Sequence, residues 1–185
     1  MKVQVPTSLD AITVAQYKHL RTLDEIEDPL EQLRKKITYL CGITESQLDQ
    51  LTEESFTQLV NAISKIGANI KERYPLETFV DIDGVQYGFN PDLSRITLGE
   101  FADIEHLCQD GAEQNLESIL SILYRPVTKK RGDFYQVAPY TGTNGKKFLG
   151  VPITVAFGAF AFFLTTAKEL RRNFPNCSKA GAERL

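Results

Sequence analysis

The sequence has no tryptophan, only two histidines and three cysteines, and these low counts limit the chemistry open to it. Cys41, Cys108 and Cys177 lie far apart and form no Cys-x-x-Cys pair. An odd number of scattered cysteines is typical of a reduced intracellular protein, and the sequence predicts neither a disulfide framework nor a zinc site. The opening residues, MKVQVPTSLD, lack an apolar core region, so we expect no signal peptide.

The common catalytic signatures are also missing. The chain has no glycine-rich phosphate loop, no Gly-x-Ser-x-Gly elbow and no His-Glu-x-x-His helix. His19 and His106 each follow a helix start, and neither has an obvious nucleophile nearby. We attribute Asp83 to a predicted turn and not to the binding of a cation. The sequence therefore predicts a protein that is not an enzyme and that has no catalytic, cofactor-binding or metal-binding residues.

Length and charge indicate a globular chain with a polarised sequence. The chain has 185 residues, of which 42% are hydrophobic and 24% charged. We expect one globular domain over residues 1–175 and a flexible tail over 176–185. Residues 1–110 carry 10 Lys or Arg against 19 Asp or Glu, whereas residues 111–185 carry 11 against 5. Such a molecule can pair with copies of itself or present its basic end to an anionic partner, unless folding mixes the two halves and cancels the polarity.

Several helix starts share one N-terminal signature. A threonine is followed three residues later by Gln or Glu, which predicts a capping box, and apolar residues flank the first turn as a hydrophobic staple. Asp28 before Pro29 is a second favoured way to begin a helix. The threonine caps are Thr13, Thr44 and Thr97, with Thr52 as a variant that has Ser55 in the place of the Gln or Glu.

The strands are fewer and shorter. Residues 79–89, FVDIDGVQYGF, alternate with period two around Asp83-Gly84, which predicts a hairpin with a two-residue turn. We expect a small antiparallel sheet from residues of about 2–5, 79–82, 85–89 and 134–139. Arg125-Pro126 predicts the end of an amphipathic helix that starts near Gly111 and has one apolar face, and the following TKKRGD predicts an exposed loop.

The longest apolar run extends from Phe148 to Ala167 and contains no charge. Gly150 and Pro152 shorten the predicted helix to a length at the lower limit for a bilayer, so we favour a buried central helix over a membrane span. The expected fold is α+β and predominantly helical, with five to seven helices packed around an apolar helix at about 151–173. This helix has two expected buried stripes. The first consists of Ile153, Phe157, Phe160 and Leu164, and the second of Val155, Ala159 and Phe162.

A basic cluster brackets the predicted strand FYQVAPY, and a second one ends the apolar helix. Basic residues beside aromatic ones are found at single-stranded nucleic-acid sites, but we favour a solvated loop or a protein contact, because the chain has no tryptophan and no recognised nucleic-acid motif. The candidate contact residues, for a protein partner or for nucleic acid, are Arg125, Lys129, Lys130, Arg131, Lys146, Lys147, Arg171 and Arg172.

Five phrases, in this order and spacing, carry a resemblance to a known group. They are VPTSLDAITVAQYKHL, ITLGEFADIEHL, ILYRPV, YQVAPYTGT and VPITVAFGAFAFFLTTAKEL. Together they cover most of the chain and resemble small proteins of tailed bacteriophages, including crAss-like phages. In that group the genes lie among those for virion structure and tail morphogenesis.

The resemblance implies a non-enzymatic virion or assembly protein. Its expected partners are other phage structural proteins and further copies of itself, without a membrane, and its expected location is the virion or the host cytoplasm during assembly. The alternative is a packaged or genome-proximal protein that binds nucleic acid through the basic 125–147 region.

Overall fold

The computed structural model describes residues 3–68, 74–90 and 92–173, and within these ranges the protein is mostly helical with one small antiparallel sheet. This confirms the predicted α+β, predominantly helical class. The residues group into two compact units. The helical unit consists of Met1–Glu72 and Leu149–Thr154, and the sheet unit of Arg73–Phe148 and Val155–Leu185. The expectation of one domain over 1–175 stays a prediction, and the expected tail at 176–185 lies outside the described residues.

Besides two short 3₁₀ helices, the described part of the helical unit contains four α-helices, each starting at a predicted cap. They are α1 (Val14–Thr22), α2 (Pro29–Cys41), α3 (Glu45–Asp49) and α4 (Glu53–Ala68). Thr13 and Thr44 form complete capping boxes with Gln16 and Gln47. These bonds satisfy amide groups that a first helical turn leaves without partners, and this explains why so many short helices persist in one chain.

The core of the helical unit is a small aliphatic cluster. Ile37, Cys41, Leu48 and Leu59 are buried together, and half-buried side chains pack around them. Apart from Val3 and Val5, these residues come from α2, α3, α4 and their neighbours in the chain, so these helices close on one another.

Residues 149–154 join the helical unit through backbone and side-chain bonds. The amide of Val14 donates to the carbonyl of Val151, and the amide of Ile153 donates to the carbonyl of Ile12. The hydroxyl of Thr154 donates to Asp10 at 2.7 Å. These contacts explain why this late segment belongs to a unit built otherwise from the first 72 residues.

The sheet unit contains four antiparallel strands in sequential order. They are β1 (Phe79–Ile82), β2 (Val85–Phe89), β3 (Tyr124–Arg131) and β4 (Phe134–Val137). Asp83 and Gly84 both have positive φ in the first turn, which confirms the predicted hairpin. Among residues 3–6, no strand is present, so the predicted strand at 2–5 is wrong over its described part.

β3 is not among the strands predicted from the sequence. The segment predicted as a helix break and an exposed basic loop is an eight-residue strand between β2 and β4. Pro126 is compatible with this strand although it has no amide hydrogen to donate. The backbone carbonyl of Pro126 still accepts from Ala138 at 2.8 Å.

Helix α5 (Leu98–Gln109) and helix α6 (Leu116–Leu123) complete the part of the sheet unit before residue 149. Apart from Glu117 and Ser118, every residue of α6 is buried, whereas the sequence predicts a helix with one apolar face. The aromatic core next to it joins Tyr87, Tyr124 and Phe148, with ring centroids 5.4 and 6.4 Å from that of Phe148.

Helix α7 (Ile153–Asn173) confirms the predicted apolar helix. Its first turn is buried, but the first expected stripe becomes more exposed toward the C-terminus: Phe157 and Phe160 are half-buried, and Leu164 is 41% exposed. In the second expected stripe only Phe162 is exposed, at 43%. Each predicted stripe is therefore buried at its N-terminal end and exposed at its last residue. None of the helices in the described ranges has the length and hydropathy needed to cross a bilayer.

The predicted charge polarity does not follow the two units. The helical unit contains 8 Lys or Arg against 11 Asp or Glu, and the sheet unit contains 13 against 13. The acidic residues of 73–110 and the basic residues of 111–148 belong to the same unit. Folding therefore divides the net charge as −3 and 0, so little of the sequence polarity remains between the units.

Candidate functional site

The predicted contact residues occupy several separate places in the structure. Lys129, Lys130 and Arg131 form the exposed end of β3, and Lys146 and Lys147 are exposed in the short 3₁₀ helix Gly145–Gly150. Arg171 and Arg172 lie in α7, with side chains outside the described set.

Arg125 does not belong to the exposed basic surface. Its guanidinium lies 2.8 Å from the Glu100 carboxylate, and the two side chains are 13% and 2% exposed. The other oxygen of Glu100 accepts from the amide of Thr97 at 2.7 Å as part of the capping box. A charge pair this buried holds α5 against β3, so we remove Arg125 from the candidate contact residues.

A β-bulge determines where the remaining cations of β3 point. Val127 opposes Val137 and Lys129 opposes Gln136, so β3 contains one more residue than β4 at Thr128. Because successive side chains of a strand alternate between faces, the extra residue reverses the alternation beyond it. Lys129 and Arg131 therefore lie on the face that carries Tyr87, which we name the Tyr87 face.

Lys130 points to the other side, which we name the Gly88 face. Its ammonium lies 3.9 Å from the centre of the Phe79 ring and 3.2 Å from the side-chain oxygen of Gln86. Tyr135 packs on the same face, so close to Gly88 that a Cβ there would lie 2.8 Å from its ring. Lys130 is thus held over an aromatic surface.

Lys147 returns to the Tyr87 face. Its ammonium lies 3.5 Å from the hydroxyl of Tyr87. The predicted basic cluster is therefore divided: Lys129, Arg131 and Lys147 share one face of the sheet, and Lys130 lies on the other.

Phe134 joins this face at the tip of the β3–β4 hairpin. It directly opposes Arg131, and 85% of its side chain is exposed. A phenylalanine is rarely this accessible in a folded chain, because burial of its ring is favourable by about 1.5–3 kcal/mol. The ring is an apolar group beside two cations.

A second candidate surface lies along α7. Two shallow, open depressions of about 380 and 350 Å³ meet at Leu76 and Phe162, which line both. Phe162 is 43% exposed, and its ring packs edge-on against Phe89 with centroids 5.5 Å apart. The first depression is completed by Tyr74, Pro75, Gly158 and Ala161; the second also contains Thr78, Asn90, Asp92 and Thr166.

The extended segment 74–78 forms one wall of these depressions and is firmly held. A Cβ at Gly158 would lie 2.1 Å from the carbonyl oxygen of Pro75, so α7 and this segment touch through backbone. The Tyr124 hydroxyl donates to the carbonyl of Glu77, and the amide of Phe89 donates to the carbonyl of Thr78. Burial in these surroundings raises the pKa of the Tyr124 phenol.

The two histidines are engaged with neighbours in their own helices or units. The ring of His19 lies 4.0 Å from that of Tyr39, and His106 is 3.4 Å from Asp110. Burial raises the pKa of the thiols of Cys41 and Cys108. Among the described residues, no three His, Cys, Asp or Glu side chains lie close enough together to hold a metal ion.

No protein-family model, curated protein or solved structure matches this chain.

The sequence contains a signal for the hairpin that the sequence analysis did not use. Gly132-Asp133 separates two stretches rich in strand-forming residues, as Asp83-Gly84 does earlier, and such a pair predicts a hairpin turn. Gly132 has a φ of 60° in the structure. The ion pair between Glu100 and Arg125 has no local signal, because its partners are 25 positions apart.

Proposed function

We propose that the protein is a non-enzymatic structural or assembly protein of a tailed bacteriophage. It serves as a virion component of the head–tail or tail region, or as a tail assembly chaperone. It acts through contacts with other phage structural proteins and with further copies of itself, in the virion or in the host cytoplasm during assembly. The resemblance of its sequence phrases supports the phage assignment.

The observation that best supports a role in protein contacts is the apolar surface around Phe162. Its two depressions are open and shallow, and they lie on either side of a half-exposed ring. Backbone contacts at Gly158 keep its wall in place, so little ordering is needed on binding. An aromatic anchor between apolar pockets is a common centre of a protein interface.

We assign this surface to a second copy of the chain. Two Phe162 rings facing each other would each fill the partner's depression, since a two-fold interface uses the same patch on both subunits. Binding to a different phage structural protein is the other outcome that the experiment distinguishes.

Sedimentation velocity of the purified protein tests the assignment. We expect an oligomer for the unchanged chain and a monomer for Phe162→Asp, because the new carboxylate would be buried without a partner. Leu164→Asp is the matched control. Leu164 has similar exposure, but two helical positions turn it about 200° away from Phe162.

A second variant guards against misfolding. Ala161→Arg blocks the first depression without touching the contact between Phe162 and Phe89, and circular dichroism checks that each variant is folded. A monomeric wild-type chain that binds no structural protein of its own virion in a pull-down would overturn the proposal. A monomer that binds one such protein through Phe162 would reject self-association only.

A further inference from the structure

The outer end of the β3–β4 hairpin combines charge and an exposed ring. Burial decreases along β3, from Tyr124 in the aromatic core to exposed positions from Thr128 onward. The last residues of the hairpin therefore extend past the packed part of the sheet. Their side chains are accessible from solvent.

The bulge at Thr128 groups these side chains into one surface. It places Lys129 and Arg131 on the Tyr87 face together with Phe134, which opposes Arg131 across the hairpin. Without the extra residue, Lys130 would lie on the Tyr87 face, and Lys129 and Arg131 would lie on the Gly88 face. Bulges often re-aim side chains in this way beside functional sites.

We propose that Lys129, Arg131 and Phe134 form a binding site for single-stranded nucleic acid. The two cations pair with backbone phosphates, and the Phe134 ring stacks on an unpaired base. Lys147, near Tyr87 on the same face, adds positive charge along the path of the strand. This site is independent of the Phe162 surface and does not require the proposed assembly role.

The chemistry of the hairpin favours a single strand over other anionic partners. A base in a duplex is stacked on its neighbours, whereas an unpaired base can turn outward and stack on an aromatic ring. A bilayer surface would bring the carboxylate of Asp133, in the turn itself, against anionic head groups. Both duplex and vesicle binding are outcomes of the test below.

Fluorescence anisotropy with labelled oligo-dT and oligo-U of about 20 nucleotides provides the test, since such a strand exceeds common site sizes. We expect Lys129→Gln/Arg131→Gln to weaken binding and to reduce the slope of log affinity against log salt by about 1.4, the value for two lost phosphate contacts. Phe134→Ala should weaken binding about fivefold or more.

Lys130→Gln is the matched control, because Lys130 has the same charge in the same strand but lies on the Gly88 face over Phe79. We expect its affinity to stay within about twofold of the unchanged protein, since it contributes no phosphate contact. Phe162→Asp should also bind normally.

The site would be overturned by no binding to either strand at low salt, by a loss for Lys130→Gln equal to that for Lys129→Gln/Arg131→Gln, or by an unchanged affinity for Phe134→Ala. Duplex DNA or phosphatidylserine vesicles bound more tightly than oligo-dT and oligo-U would also reject it, in favour of a general anionic surface. A difference between oligo-dT and oligo-U identifies the nucleic acid.

Discussion

The two units of this protein are stabilised over different distances along the chain. In the helical unit, apart from the bonds that residues 149–154 make to residues 10–14, capping boxes join residues three positions apart, and the core cluster links neighbouring helices. In the sheet unit, the main contacts join distant residues: Tyr124 with Glu77, Arg125 with Glu100, and Tyr87 with Phe148. Because of this difference, we expect a single substitution to affect mainly its own neighbours in the helical unit. In the sheet unit, we expect it to affect several elements at once.

Core truncation should show the largest difference between the units. Phe148→Ala removes a buried ring that touches both Tyr87 and Tyr124, and we expect it to lower the free energy of unfolding by about 3–5 kcal/mol. Leu48→Ala in the smaller cluster of the helical unit should cost about 2 kcal/mol, because half-buried neighbours can close around it. Urea unfolding followed by circular dichroism gives both values. Equal costs would contradict the comparison.

Loss of the buried ion pair should have the next largest effect. Arg125→Ala leaves the Glu100 carboxylate buried without its cation, which we expect to cost about 3 kcal/mol. Lys129→Ala, in the same strand but exposed, should change the stability by less than about 0.5 kcal/mol. The double variant Glu100→Ala/Arg125→Ala should cost less than the sum of its two single variants, because neither charge is then left alone. Additive costs would show that the pair does not stabilise the sheet unit.

A threonine that caps a helix should contribute a different amount to stability in each of the two units. Thr44→Ala removes one cap bond of an exposed helix start, and we expect a cost of about 1 kcal/mol. Thr97→Ala should cost about 2 kcal/mol, since the Thr97 hydroxyl also donates to the buried Glu100 carboxylate. Serine at each position retains the hydroxyl and serves as the control in the same urea experiment. If Thr44→Ala lowers the free energy of unfolding more than Thr97→Ala does, the contacts of the sheet unit are not coupled in this way.

Short-range features were predictable because their causes lie within a few residues. The boxes at Thr13, Thr44 and Thr97, the Asp28 cap and the Asp83-Gly84 turn are all present where the sequence predicts them. Each depends on one side chain and an amide close by. The helical class of the fold follows from these starts.

Long-range features were not predictable in the same way. β3 follows a buried helix directly, and only its pairing with β2 and β4 makes Tyr124–Arg131 a strand. The basic cluster was visible as composition, but its division between two faces depends on the bulge at Thr128. The burial of Arg125 depends on Glu100, and no pattern in the sequence links the two.

We propose that the Phe162 surface of the sheet unit binds another copy of the chain. A photo-crosslinking amino acid at position 162, with position 164 as the control, tests it directly. We predict a covalent dimer on illumination at position 162, with the crosslink mapped by mass spectrometry to the depressions beside Leu76, and little product at position 164. If neither position gives a covalent dimer, self-association through the Phe162 surface is contradicted.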